Sequence, residues 1–345
     1  MVAMDIDKET VRRKALELVD ADGHGVGTRL ANAVGVSRQV ANGYLQALER
    51  DGLVEATGTT RAKTYKLRTQ AEADIRYPRA GLQEDLVWRE LIAPVVARLP
   101  QSVRDIWHYA STEIINNAID HSQATDVYVG VRRNALRTEV SVADDGEGIF
   151  LKIQRALGLH DTREALLELA KGKLTTAPEN HSGEGIFFTS RMVDEFDIVS
   201  GNLHFTHGER KLDRISEREA TAPGTTVLMR LANDSTRVMK DVFDRFADPE
   251  DYTFDRTVVP IRLAQHEGEK LVSRSQAKRV AHRFERFRHV VLDFTGVEEI
   301  GQAFADEIFR VFAANHPDIR IVPENTSPEV AKMIRRALAA ARETD

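Results

Sequence analysis

The chain has no cysteine among its 345 residues, so disulfides and thiolate metal sites are excluded, which fits a reducing cytosol. It also lacks an apolar run approaching the length of a bilayer span, and the N-terminus carries no basic-then-apolar signal. The expected location is therefore cytoplasmic, with no membrane partner. Repeats and low-complexity tracts are absent, and no His-x-x-x-His pair or carboxylate cluster suggests a dedicated zinc site. Acidic and basic residues nearly balance, 54 against 48. The net charge is −6, with residues 1–70 carrying 11 Lys and Arg against 9 Asp and Glu, and the remainder 37 against 45. A weak basic excess at one end permits nucleic-acid contact there without demanding it. The composition, 42% hydrophobic and 30% charged, is that of an ordinary soluble chain, long enough for two or three domains.

Hydrophobic spacing divides the chain into three segments. In the first, Glu9–Val19 places Val11, Ala15, Leu18 and Val19 at helical intervals and stops in the turn-rich run Asp20–Gly27. Thr28–Val34 reads as a short helix and Gly35 as its turn, with Ser37 the N-cap of a helix to Arg50. Two alternating stretches, Leu53–Ala56 and Thr64–Leu67, then flank the loop Thr57–Lys63. A polar stretch, Arg68–Arg79, reads as a linker. The second segment opens with a long helix, Val103–His121, followed by the strands Asp126–Val131 and Arg137–Ala143. Phe196–Ser200 and Leu203–Thr206 are expected to pair around a Gly201-Asn202 turn, and Thr225–Leu231 is a further strand. Helices mixed with antiparallel strands imply an α+β two-layer sandwich, with the helices on one face of the sheet. The third segment, from about Tyr252, alternates strand and helix: Val258–Leu263, Ser275–Phe287, Val290–Phe294, Ala303–Ala314, Ile319–Val322 and Pro328–Ala341. The unbroken run Val290-Val291-Leu292 is that of a strand buried on both faces.

Three short motifs carry chemistry, all in the second segment. Glu113 and Asn117 are four residues apart on the long helix and therefore share a face. A carboxylate there can polarise a water or hydroxyl at a γ-phosphate, and an amide oxygen suits magnesium. The run Asp144-Asp-Gly146-Glu-Gly148 follows a strand directly. A carboxylate at a strand end can accept the amine of adenine, while glycines let a flat base approach the backbone. The run Ser182-Gly183-Glu-Gly185 opens a helix, whose free amides and positive dipole end form a phosphate seat. Gly224-Thr225 then leads into the last strand, bringing a hydroxyl near the base.

In this order and on these elements the motifs resemble the boxes of the GHKL ATPase superfamily, the gyrase, heat-shock-chaperone, histidine-kinase and mismatch-repair ATPases, over roughly 150 residues. The resemblance implies ATP and magnesium as cofactors. Glu113 matches the catalytic base, Asn117 the magnesium ligand and Asp144 the adenine-reading aspartate. Gly146 and Gly148 line the base, Gly183 and Gly185 are phosphate-loop glycines, and Thr225 stands near the adenine. Phe150–His181 would be a mobile lid over the phosphates, with His181, Lys171 and Lys173 as further phosphate contacts or, alternatively, solvated loop residues. His108 and His121, near the site helix, read as structural.

The first segment, roughly residues 7–68, resembles a winged helix-turn-helix, which would place Ser37, Arg38, Gln39 and Asn42 in the major groove and Arg61 and Lys63 on phosphates. Protein contact is the alternative use of that fold. The third segment resembles a STAS-like α/β domain through Ser273–Lys278, Val290–Val297 and Gly301–Glu307. Phosphorylated relatives of that fold carry a serine after the central strand, whereas Glu298–Phe304 has no serine, threonine or tyrosine. A docking module for the ATPase or for a protein partner is therefore expected. The domains read as 1–70, 80–235 and 252–345. The functional expectation is an ATP-binding regulator that couples a lid to DNA binding, with slow hydrolysis. A serine/threonine kinase of the anti-sigma-factor type and an ATP-dependent clamp on nucleic acid, dimerising through the lid, are the alternatives. A sensor histidine kinase is disfavoured, because Leu82–Ile106 contains no histidine.

Overall fold

The computed structural model describes residues 7–59, 63–174, 183–208, 211–248, 253–265 and 269–342. Helix α1 (Lys8–Ala21) begins at Asp7, whose carboxylate accepts the amide of Thr10 at 3.3 Å, and buries Val11, Ala15, Leu16 and Val19. Helix α2 (Val26–Val34) ends at Gly35 in the left-handed conformation, φ 68°, which glycine adopts without strain. Ser37 caps α3 (Arg38–Arg50), its hydroxyl accepting the amide of Val40 at 3.3 Å. Strands β1 (Val54–Thr57) and β2 (Thr64–Leu67) pair antiparallel. Together these elements close a separate core around Leu30, Leu45 and Leu48.

The middle of the chain builds a five-stranded antiparallel sheet in the order β3-β4-β5-β7-β6. The expected linker is mostly strand: β3 (Ala71–Pro78) pairs along its full length with β4 (Asp126–Arg133). Only Ala73 and Tyr77 pack on the core, while Glu72, Asp74 and Arg76 are exposed. An edge strand with charged residues toward water is protected against unwanted pairing, and in sequence it looks like a linker. Strands β4 and β5 (Arg137–Asp144) alternate strictly, burying Val127, Val129, Val131, Val140 and Val142 and leaving Tyr128 and Arg132 exposed.

The buried face of the sheet is covered by helices. A short pair, α4 (Glu84–Val87) and α5 (Ala93–Val96), is joined by a π-turn, and α6 (Gln101–His121) buries Val103, Ile106, Trp107, Ala110, Ile114 and Ala118. Between β5 and β6 lie α7 (Ile149–Leu157), α8 (Glu164–Lys171) and α9 (Gly185–Met192). The expected Gly201-Asn202 turn is instead internal to β6 (Glu195–Gly208), which runs antiparallel to β7 (Lys211–Ala232). Gly201 has φ 59° and the register shifts on both sides of it, so the pair forms a bulge in a long hairpin.

After α10 (Met239–Asp244), the C-terminal part forms a three-stranded parallel sheet, β10-β9-β8, from β8 (Arg256–Pro260), β9 (His289–Asp293) and β10 (Arg320–Glu324). The central strand buries Val290, Val291 and Leu292. Its helices are α11 (Arg274–Ala281), held by a Ser273/Gln276 capping box, then α12 (Gln302–Asp306), which runs through a π-turn into α13 (Ala313–Asn315), and α14 (Pro328–Arg342). This part shares one continuous core with the five-stranded unit. Phe187 of α9 packs 4.6 Å from Phe254, which packs 5.6 Å from Phe287 (ring centroids).

Candidate functional site

A cavity of about 320 Å³ opens between α6, the end of β5, α7, α8, the start of α9 and Thr225 and Val227 in the second half of β7. That is at the lower end of small-molecule pockets, ~300–1,000 Å³. Of the residues singled out by sequence, it is lined by Glu113, Asn117, Asp144, Gly148, Gly183, Gly185 and Thr225, and also by His121, which sequence reading had taken as structural. Gly146 lies just behind the lining.

At one end the half-buried Asp144 carboxylate accepts the amides of Gly146 at 2.9 Å and Thr225 at 3.3 Å. Burial pushes this carboxyl above the ordinary aspartate value, aided by neighbouring Asp145, while the two amides oppose the shift. The Thr225 hydroxyl oxygen accepts the amide of Ile149 at 2.9 Å, which leaves its own proton to donate. Glycines allow these chains to meet. A side chain at Gly146 would stand 2.0 Å from the Ser122 carbonyl oxygen, and one at Gly224 would stand 1.9 Å from that of Asp144. Ser200, buried behind them, donates to the Gly224 carbonyl at 2.8 Å.

The other end is formed by α6 and α9. A Cβ at Gly185 would lie 2.1 Å from Glu113 Oε2, so the carboxylate is packed directly on the first residue of α9. Gly183, φ 73°, is equally confined by the backbone of Leu174. Glu113 and Ser122 are nine residues apart on and just past α6, which separates the two ends by roughly 13 Å. Beside Glu113, burial raises the Tyr109 hydroxyl well above its ordinary value, and the carboxylates of Glu113 and Glu184 push it further the same way.

Sequence reading missed Lys152, a cation lining the cavity, whose ammonium donates to the His121 carbonyl at 2.5 Å. It stands on α7 with Ile149 and Ile153, so an i, i+3, i+4 stripe just after Gly148 was the available signal. It also misplaced two lysines. Lys171 is completely buried and Lys173 largely so; both bond to the C-terminal domain and not to the cavity. The expected lid contains α7 and α8, and α8 is buried throughout from Ala165 to Lys171. Thr175, Thr176, Pro178, His181 and Ser182 lie outside the described residues, as does Arg61.

Elsewhere, Arg38, Gln39 and Asn42 are exposed on α3, while Ser37 is engaged as its cap. Asn42 Oδ1 is only 2.2 Å from where a Cβ on Gly27 would lie, which ties it to α2. Lys63 pairs with Glu49 of α3 at 3.0 Å, a contact that raises its pKa, and lies over the Tyr65 ring. In the C-terminal sheet, Thr295 follows β9 with its amide and hydroxyl both donating to Asp293, at 2.9 and 2.6 Å.

Residues 85–205 match the model of the histidine kinase-like ATPase domain, and residues 276–331 that of a STAS-like domain of unknown function. No curated protein matches the chain. The first match spans Glu113, Asn117, Asp144 and the glycines of both loops. The chain thus carries a histidine kinase-like ATPase domain followed by a STAS-like domain. No helix among the described residues is long and apolar enough to cross a membrane.

Proposed function

We propose that the chain is a cytoplasmic, ATP-binding regulator whose cavity holds ATP with magnesium and whose N-terminal unit binds DNA as a winged helix. The nucleotide reading rests on one observation. A single cavity has a half-buried, amide-held carboxylate at one end and, at the other, a second carboxylate packed on the start of a helix. Asp144 accepts an exocyclic amine and the Thr225 hydroxyl donates to a ring nitrogen, directly or through water, a combination that selects adenine. The start of α9 receives phosphate oxygens on its free amides, and Lys152 adds positive charge. Asn117 would hold magnesium through its amide oxygen, a hard ligand of the kind that ion takes. Bound magnesium would neutralise charge on the phosphates. Glu113 takes the proton from an attacking water and is the group whose loss stops turnover without removing affinity.

DNA binding is supported by the exposed face of α3, with Arg38, Gln39 and Asn42. Lys63 holds the hairpin against that helix, and Arg61 completes the candidate phosphate contacts. The STAS-like domain is proposed to take a protein partner, and association of two copies through the nucleotide domain would follow the clamp alternative.

The deciding experiment incubates the full chain with γ-labelled ATP and magnesium, with and without duplex DNA. Label released as phosphate establishes an ATPase. Label on protein establishes a kinase acting through the same Glu113, and ATP-induced stabilisation with neither establishes a binding switch. No stabilisation by ATP sinks the nucleotide reading. A gel shift that stays negative at low salt for random and promoter fragments alike sinks the DNA reading.

A further inference from the structure

One wall of the cavity is not built by the ATPase domain alone. Leu169 and Leu174 line it, on and just beyond α8. Leu174 meets the phosphate loop directly: its amide donates to the Gly183 carbonyl at 3.0 Å, and a side chain at Gly183 would strike its backbone at 2.4 Å. The end of a helix leaves carbonyls without partners inside the helix, and here the C-terminal domain satisfies three in a row. Thr257 donates to the Lys171 carbonyl at 2.7 Å and Arg283 to that of Gly172 at 3.1 Å. The Lys173 carbonyl accepts from Arg283 and, at 3.0 Å, from Arg286.

The grip is reciprocal. The Lys171 ammonium donates to the carbonyls of His282 at 2.8 Å and Arg279 at 3.4 Å, at the end of α11, where a cation is favoured. Glu168 closes the cluster, accepting from Lys171 at 2.7 Å and Arg283 at 2.9 Å. Glu168, Lys171 and Arg283 are 2%, 0% and 4% exposed. Arg283 has φ 66°, a region that non-glycine residues seldom occupy. A buried cation in an unfavoured backbone conformation persists only where its surroundings hold it, and here they hold it on the wall of the nucleotide cavity.

We propose that Arg283 of the STAS-like domain is a positioning residue for the nucleotide cavity, setting the Gly172–Leu174 wall and through it the Gly183 loop. Nucleotide binding and docking of the STAS-like domain are then linked equilibria: whatever loosens Arg283 weakens ATP, and ATP tightens the docking by the same factor. A protein partner of the STAS-like domain thereby gains a route to the nucleotide. This rests on the ATP reading of the cavity.

The test uses the full chain and two readouts. Calorimetric titration with ATP and magnesium is expected to show Arg283→Ala binding at least tenfold more weakly than wild type, with Arg283→Lys recovering part of the loss. Ile334→Ala, which loosens the STAS-like core away from α8, lowers the melting temperature and leaves affinity unchanged. Amide hydrogen exchange without nucleotide is expected to show Arg283→Ala losing protection at residues 169–174 and 183–188. Thr257→Val, which removes one hydrogen bond, gives a smaller loss at the same residues and serves if Arg283→Ala fails to fold. Wild-type ATP affinity in Arg283→Ala, or an affinity loss in Ile334→Ala as large, overturns the proposal. If wild type does not bind ATP, the nucleotide reading falls, and the exchange result alone decides whether Arg283 positions the wall: unchanged protection overturns that too.

Discussion

The ATPase domain is joined on its two sides by different physics. Toward the STAS-like domain the core is continuous, with Phe254 packed among Phe187, Phe188, Phe246 and Phe287, and with Glu168, Lys171 and Arg283 buried beside them. Toward the N-terminal domain there are two cores, and contact is made by Ala135 and Leu136 at the β4–β5 turn. The ion pairs there are Arg137–Asp20 and Arg13–Asp234, with side chains between 31% and 55% exposed. A buried ionic cluster cannot lose one member without stranding a charge, whereas a half-exposed pair trades one set of water contacts for another at little gain. The STAS-like domain therefore shares one packed body with the ATPase domain, and the N-terminal domain is an attachment whose orientation can change cheaply.

The sharpest way to break the first junction is Phe254→Ala. Removing a buried phenylalanine typically costs about 3–5 kcal/mol, and here the lost contacts span both domains. Denaturant unfolding is expected to fall by that amount, with tryptophan fluorescence (Trp88 and Trp107 both lie in the ATPase domain) and overall helicity no longer changing together. A loss under about 1 kcal/mol, a small part of the roughly 5–15 kcal/mol that stabilises an ordinary domain, would mean that the domains merely touch.

The charged cluster separates stability from specificity. Glu168→Ala leaves Lys171 and Arg283 buried with only carbonyl acceptors among their bonds in the cluster, and an effect of about 3–5 kcal/mol is expected. Glu168→Leu with Lys171→Met should recover the part of the loss that comes from the stranded Lys171, while Arg283 stays buried without its carboxylate. If the double variant is as unstable as the single one, the cluster contributes through geometry and not through charge balance.

Alkaline pH gives a gentler probe. Burial pulls Lys171 down from 10.5 to about 8, with Glu168 opposing and Arg283 adding to the shift. The folded chain thus releases this proton more readily than the unfolded one, so folding is favoured as pH rises from about 8 towards 10.5. The stability of wild type minus that of Lys171→Met is expected to increase between pH 7.5 and 9.5, read from urea midpoints. Glu168 works in the acid range. Lys171 and Arg283 hold its carboxyl below the ordinary value despite its burial, so its contribution is complete above that value and fades as pH drops through the folded one. A flat difference on the alkaline side would place Lys171 in a wetter setting.

What could be read from sequence divides along the same line. Glu113, Asn117, Asp144 and the loop glycines stood out because their spacing is set locally, by one helical turn, one strand end and one helix start. The N-terminal elements were legible for the same reason, since Gly35 and Ser37 mark helix ends locally, although the Asp7 cap of α1 went unread. The junction was opaque. Lys171 and Lys173 look like phosphate ligands until partners more than 80 residues away, Asp255, His282 and Arg286, are folded against them. Strand β3 was hidden because its ladder partner is distant and its charged residues Glu72, Asp74 and Arg76 alternate with the small Ala71 and Ala73, which give little apolar signal. Lys152 was hidden because one lysine on an amphipathic helix looks like any solvated one.

The smallest effect belongs to the N-terminal junction. Arg137 pairs with Asp20 across it and with Glu139 on its own strand, and the two carboxylates raise its pKa against partial burial. Exposed pairs contribute about 0–1 kcal/mol and are screened within ~10 Å at 0.1 M salt. Arg137→Ala is therefore expected to change the melting temperature by only a degree or two, and less still at high salt. Its consequence lies in geometry. With Arg13–Asp234 the main charged contact remaining, the N-terminal domain should sample more orientations, seen as a broader distance distribution between labels placed on α1 and β5. Nucleotide affinity should stay as in wild type, because nothing in this junction reaches the cavity wall. If Arg137→Ala weakened ATP as much as Arg283→Ala, the asymmetry between the two junctions would be wrong, and the N-terminal domain would belong to the same cooperative body as the nucleotide site.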